Sequence, residues 1–241
     1  MPFTAVHPAA VLPIVRYGLP GSALVIGSIT PDLPMILPVP TVVHFAHTPS
    51  GLVTVDLVMG MIAFVLWQVL FGPAVLALAP RALSGRVPAG LPKGLAFHRA
   101  TGVRIALVLA GVLIGAATHI VWDAFTHDWM WGPELLPWLA SRHGSMMGWQ
   151  WIQHISDFAG GAIVVAWVAV WWRGTPRRTE DEALPRRIRV LAWLAVLVPA
   201  TAGFLYGLLT ASWFVAFSRG AGLGAVCLVA VSVTWWVRTR R

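Results

Sequence analysis

Apolar residues fill this chain in long unbroken runs, not at alternating or amphipathic spacings. Five of the runs approach or exceed the ~20 residues that a helix needs to cross the hydrocarbon core of a bilayer. They cover residues 52–79, 103–126, 158–172, 190–210 and 220–237. The third is short, but Ile152 and Ile155 extend it at its N-terminal side, and a helix packed among others tolerates the shortfall. The first is long and contains Gly72-Pro73. A kink or break is expected there, because proline lacks an amide hydrogen and crowds the preceding turn.

Residues 5–38 are apolar too, yet Pro8, Pro13, Arg16, Pro20, Pro31, Pro34 and Pro38 cut them into pieces too short to span. Two short helices that dip into the membrane or lie on the bundle are expected, since broken backbone survives at membrane depth only where protein or a polar cavity satisfies it. The alternative is a sixth span from about residue 10 to 30, with Arg16 snorkelling to the interface. The pattern therefore predicts an all-α fold, a polytopic membrane helix bundle. It reads as one integral membrane domain over 1–241: broken N-terminal helices (1–51), spans 1 to 3 (52–172), a basic linker (173–189), and spans 4 and 5 with a basic tail (190–241).

Composition agrees, with 58% hydrophobic residues, 11% charged residues and a mean hydropathy of +0.76. The lipid bilayer is the expected surrounding. A formal net charge of +8 could suggest nucleic acid as a partner, but the distribution of the basic residues argues against it. Arg81, Arg86, Lys93, Arg99 and Arg104 share one loop; Arg173, Arg177, Arg178, Arg186, Arg187 and Arg189 share the linker; Arg238, Arg240 and Arg241 form the tail. These are 14 of the 17 basic residues, and five spans put all of them on one side. The positive-inside bias makes that side cytoplasmic, with the C-terminus on it. The N-terminal segment, the loop 127–157 and the turn near 211–218 then face outward. Cys227, the single cysteine, lies in an apolar run, so neither an intrachain disulfide nor a cysteine-rich metal site is available. The N-terminus MPFTAVHPAA lacks the basic n-region of a cleaved signal peptide. The strong preference for arginine over lysine points to a high-GC bacterial source.

The polar residues that remain are concentrated. Seven of the eight histidines, His7, His44, His47, His119, His127, His143 and His154, fall on the expected outer side, with Asp32, Asp123, Asp128 and Asp157. Only His98 sits among the arginines. Segments distant in sequence thus bring metal-type ligands to one membrane face, as a His/carboxylate site requires. The sharpest local signal is His119-Ile-Val-Trp-Asp123-Ala-Phe-Thr-His127. Positions i, i+4 and i+8 share one stripe of a helix, and an ionisable group in an apolar span is expensive unless it has a task. His119 and Asp123 can share one ion. A straight helix carries His127 about 12 Å from His119, which leaves it for a second metal, a substrate phosphate or a supporting hydrogen bond. The alternative is a purely structural set of interhelical hydrogen bonds.

Gln150-Trp-Ile-Gln-His154-Ile-Ser-Asp157 gives a second candidate. His154 is a possible ligand or acid–base group, although Ser156 and Asp157 also suit a helix cap. His7, Asp32 in Thr30-Pro31-Asp32, and His44 and His47 in His44-Phe-Ala-His47-Thr-Pro-Ser50 add further ligand candidates. Asp56, early in span 1, either reaches the outer interface or lines the site. His143, in Ser-Arg-His-Gly-Ser, reads as a loop residue.

The motifs MPFTAVHPAAVLP, ALVIGSITPDLP, HFAHTPSGL, GAATHIVWDAFTH and WIQHISD, in this order, resemble the bacterial membrane family called domain of unknown function 4184 over essentially the whole chain. The same order looks distantly like membrane-bound metal-dependent hydrolases, whose pattern runs His, Pro-Asp-x-Asp, His-Arg-Gly-x-Thr-His-Ser, then a helical His with Asp four residues on. That likeness implies a metal group of His7, Asp32, His44, His47, His119 and Asp123. Pro34 here replaces the second aspartate, and Phe45 replaces the arginine. The implied activity is hydrolysis of a phosphoester or other ester, on a lipid-linked or membrane-surface substrate. The implied cofactor is a divalent metal, with Zn²⁺ expected, and His127 or His154 acts as acid, base or phosphate contact in the bacterial inner membrane. A metal-binding or transport protein is the other class. Between Arg104 and His119, however, only Thr118 is polar, and that favours a one-sided site.

Overall fold

The computed structural model describes residues 4–37, 39–87, 101–177 and 184–239. His98, Lys93, Arg99, Arg178, Arg240 and Arg241 lie outside the described residues. The protein is an all-α polytopic bundle with five helices long and apolar enough to cross a membrane. These are span 1 (Pro49–Leu78), span 2 (Gly102–Ala124), span 3 (Gly148–Gly174), span 4 (Arg186–Thr210) and span 5 (Trp213–Thr239).

Span 1 does not break at Gly72-Pro73. A π-helical turn over Trp67–Phe71 widens the helix just ahead of the proline, and the helix continues through Gly72–Leu78. The extra residue in such a turn gives the ring room that a regular α-helix denies it. A second π-helical turn, Leu52–Asp56, opens the same span near its start. Span 3 is 27 residues long, because Gln150, Gln153 and His154 continue the helix at its N-terminal end. Ser156 and Asp157 therefore lie inside span 3 and do not cap it.

The N-terminal segment is a series of short pieces: Pro8–Val11, Gly21–Gly27, a 3₁₀ turn at Thr30–Asp32, Leu33–Ile36 and Val43–Ala46. No helix runs from residue 10 to 30. Gly18 adopts φ 86° at the end of the Val15–Tyr17 turn, a left-handed conformation open to glycine, and Pro20 then caps the next helix at its start.

The contacts divide the chain into two compact units. The first comprises residues 1–34, 41–64 and 101–174, and it holds the chemistry-bearing residues described below. In it, Gly21–Gly27 packs on span 2 so closely that a Cβ on Gly27 would collide with the Val112 carbonyl, and one on Gly115 with the Leu24 carbonyl. Pro8–Val11 packs against spans 2 and 3. A two-residue hairpin pairs Arg142 with Met147 and His143 with Met146 before span 3 begins. The second unit comprises residues 35–40, 65–100 and 175–241. Spans 4 and 5 pair through small residues there, and a Cβ on Gly207 would meet the Ala216 backbone. Trp193 and Arg189 donate to the Leu78 and Ala79 carbonyls at 3.0 and 2.9 Å, satisfying the C-terminal end of span 1.

Candidate metal centre

Each polar side chain of the first unit is delivered by an element whose local structure sets its direction. The 3₁₀ turn Thr30–Asp32, opened by Pro31, turns Asp32 inward, and Thr4 Oγ1 donates to its Oδ2 at 2.6 Å. His47 ends the Val43–Ala46 helix and donates from Nδ1 to the Val43 carbonyl at 2.8 Å. His119, in span 2, donates from Nδ1 to the Ser28 carbonyl at 2.7 Å. Asp123 follows one turn later. Asp32, His47, His119 and Asp123 are all buried and converge, each offering one ligand atom within 4.8 Å of the others.

A carbonyl only accepts hydrogen bonds, so both Nδ1 atoms carry a proton, and in its neutral form each ring presents its Nε2 lone pair to the cluster. That is the arrangement in which a backbone carbonyl fixes the tautomer of a metal-binding histidine. His47 Nε2 and His119 Nε2 each lie 3.3 Å from Asp123 Oδ2, and 3.8 and 3.6 Å from Asp32 Oδ1. None of these four atoms has a hydrogen-bond partner. Charge-assisted hydrogen bonds run at about 2.7–2.9 Å, so these contacts are too long and too poorly directed to be bonds of the atoms with one another. They match a different requirement: ligands about 2.0–2.1 Å from a tetrahedral Zn²⁺ stand about 3.3 Å apart. Two carboxylate oxygens and two imidazole nitrogens are also a donor set suited to a divalent cation. The residues present fit a metal ion.

Around this quartet stand three more buried groups. His7 stacks on His119 with ring centroids 3.7 Å apart and brings Nε2 within 3.4 Å of Asp123 Oδ1. Burial, then the neighbouring His119 ring, pushes its pKa down to about 3. His127 does not continue the stripe of span 2, because the helix ends at Ala124 and the chain turns back. Its Nδ1 lies 3.1 Å from the Asp123 carbonyl and 3.6 Å from Asp123 Oδ2. The 12 Å spacing of a straight helix therefore does not apply. Burial also lowers the pKa of His127. Both rings are neutral near pH 7, the form that binds metal. Asp56 is fully buried in the π-helical turn of span 1, with no hydrogen-bond partner for either carboxylate oxygen and with His47, His119 and Asp32 as its electrostatic neighbours.

The remaining candidates lie outside this group. His44 is exposed and packs edge-on against Trp129 at 4.6 Å. That indole also touches His47 and His127, at 5.3 and 5.4 Å. His154 is exposed on span 3. His143 stacks on Trp138 at 4.3 Å in the hairpin. Thr4, Trp129 and the Ser28 and Val43 carbonyls were not singled out as site residues from the sequence. The carbonyls have no sequence signature at all. For Thr4 the one available signal is its place three residues before His7.

An all-α membrane bundle with a buried His/Asp centre able to hold a metal ion is the class that fold and site define. Within that class the chain belongs to the family described as domain of unknown function (DUF4184), whose family model matches residues 1–238. No curated protein and no solved structure matches it.

Proposed function

We propose that this protein is a membrane-embedded, metal-dependent hydrolase that cleaves a phosphoester or other ester at the membrane face away from its arginine-rich loops. One observation carries the reading: the Nε2 atoms of His47 and His119, their tautomers set by the Val43 and Ser28 carbonyls, converge with Asp32 and Asp123 at ligand-to-ligand spacing without bonding one another. Asp32, His47, His119 and Asp123 would hold the ion, with Zn²⁺ the expected occupant. A divalent cation held there with a further coordination position for water or substrate would polarise an ester or phosphoryl oxygen and make a bound water acidic enough to attack at neutral pH. His127, neutral and with its Nε2 unbonded, is placed to take or give a proton beside Asp123. Trp129 shields the outer edge of the site. The exposed His44 and His154 have no part in this proposal.

A lipid-linked substrate suits the surroundings. An apolar groove of about 500 Å³ runs along span 2 past Ala10, Thr118, Val121 and Phe125. Its wall includes Trp122, whose ring meets His7 at 5.6 Å. We place the protein in the bacterial inner membrane, with the basic loops and the C-terminus in the cytoplasm.

The test is metal analysis and ester hydrolysis by detergent-purified protein. Wild type is expected to hold metal and to cleave a phosphoester or carboxyl-ester probe in a chelator-sensitive way. Asp123→Asn should lose the metal and at least 100-fold in rate, in line with the weight of metal-assisted steps, while His143→Ala keeps both. Asn preserves the shape and one hydrogen-bonding oxygen. A folded Asp123→Asn protein that retains metal would leave a structural polar cluster as the better account.

A further inference from the structure

The quartet uses one oxygen of Asp123 and leaves other buried donors unused. Four donors are enough to hold one ion, yet both ring nitrogens of His7 and Nε2 of His127 are also buried without a hydrogen-bond partner. The way His7 approaches is informative. Its Nε2 lies 3.4 Å from Asp123 Oδ1, whereas His47 and His119 approach Oδ2, at 3.3 Å each. A separation of 3.4 Å is again the spacing of two ligands on one ion, and it falls on the other side of the carboxylate. That same Oδ1 also accepts a hydrogen bond from Thr126 Oγ1, at 3.4 Å. A carboxylate whose two oxygens face the ring nitrogens of different histidines has the form that bridges paired divalent ions, which stand about 3.5–4 Å apart in hydrolytic sites.

We propose that the centre holds two divalent cations bridged by Asp123, the first on Asp32, His47, His119 and Asp123 Oδ2, the second on Asp123 Oδ1 and His7 Nε2. The proposal rests on the metal-centre reading above and adds to it. With only two protein ligands, the second ion would leave more coordination positions for water or a substrate oxygen than the first, and a pair of cations is a receptor for the two non-bridging oxygens of a phosphoester. The substrate class narrows accordingly from esters in general to phosphoesters.

The test is stoichiometry, read without reference to activity. Chelator-stripped protein in detergent is dialysed against Zn²⁺, and metal per chain is measured after gel filtration has shown each variant to be folded and monodisperse. Two ions are expected in wild type, one in His7→Ala and none in Asp123→Asn. Dialysis of wild type against Mn²⁺ should give the exchange-coupled paramagnetic resonance signal of a bridged pair, a readout that survives if His7→Ala fails to fold. Wild type that saturates at one ion overturns the proposal and leaves the single-ion centre standing; wild type that binds none removes the centre itself. His7→Ala that keeps two ions, or loses both while folded, also overturns the assignment. So does a second ion that Asp56→Asn removes and His7→Ala does not.

Discussion

Asp56 shows what a single buried residue costs and what it reveals. Both of its carboxylate oxygens are sealed from solvent with no hydrogen-bond partner, inside a span whose side chains are apolar apart from Ser50, Thr54, Asp56 itself and Gln68. An unsatisfied buried polar group costs about 1–3 kcal/mol, and a charged one more. In the metal-free protein, the groups among the described residues that offset this are the imidazoles of His47 and His119. Asp56→Asn is therefore expected to raise the apparent Tm of the chelator-treated protein by several degrees, given that about 1 kcal/mol moves a chain of this size by ~2–4 °C. In the metal-loaded protein, the same change should stabilise less or destabilise. A thermal-shift comparison with and without Zn²⁺ reads the difference, and equal shifts in both states would show that Asp56 does not sense the ion. A similar logic separates the histidines. His44, His143 and His154 are at least partly solvated, while His7, His47, His119 and His127 are buried; the sequence set only His143 apart, by its polar Ser-Arg-His-Gly-Ser surroundings.

Among the elements, the seam between Gly21–Gly27 and span 2 holds the centre in register. Gly27 and Gly115 let the two backbones touch, and the reward is the hydrogen bond from His119 to the Ser28 carbonyl just beyond the short helix. Overpacking a tight contact costs about 1–3 kcal/mol, and here the displacement would also free the His119 ring. Gly115→Val is expected to lower both Tm and Zn²⁺ affinity, the latter by about 10–100-fold, as for loss of a supporting hydrogen bond. Gly161→Val, where a Cβ meets nothing within 4 Å, should change neither. Isothermal titration of the two variants decides it, and unchanged affinity in Gly115→Val would mean that the seam does not position His119. The π-helical turns of span 1 belong to the same scale. One accommodates Pro73, and the other sets Asp56 in the interior. Neither is visible in a hydrophobicity pattern, because a run of apolar residues reads the same whether its helix has four or five residues per hydrogen-bonded turn.

For the molecule as a whole, orientation is the testable quantity. Basic residues at Arg81, Arg86, Arg173 and Arg177 lie at the ends of spans 1 and 3 remote in sequence from the metal centre, and short basic loops stay on the cytoplasmic side. In a Cys227→Ser background, cysteines placed at Arg86 and Arg177 should resist an impermeant thiol reagent applied to intact cells, while one at the exposed Ser145 should react. Labelling at Arg86 from outside would invert the arrangement.

What the sequence alone determined is the membrane fold. Five spans and the broken N-terminus follow from apolar run length and proline spacing, since a bilayer imposes its thickness on every spanning segment independently of its neighbours; that residues 10–30 form no sixth span was left open by the sequence and decided by the structure. His119 and Asp123 were also legible, being four residues apart on one predicted helix. The sequence also offered His7, Asp32, His44, His47, His127 and His154 as candidates, and tertiary structure decided which of them join the pair. His7, Asp32 and His47 sit in segments whose turns give no periodicity to read, and His127 returns to Asp123 only because span 2 stops at Ala124. Donors from four separate segments meet through the packing of Gly21–Gly27 on span 2, a long-range contact that no local pattern encodes.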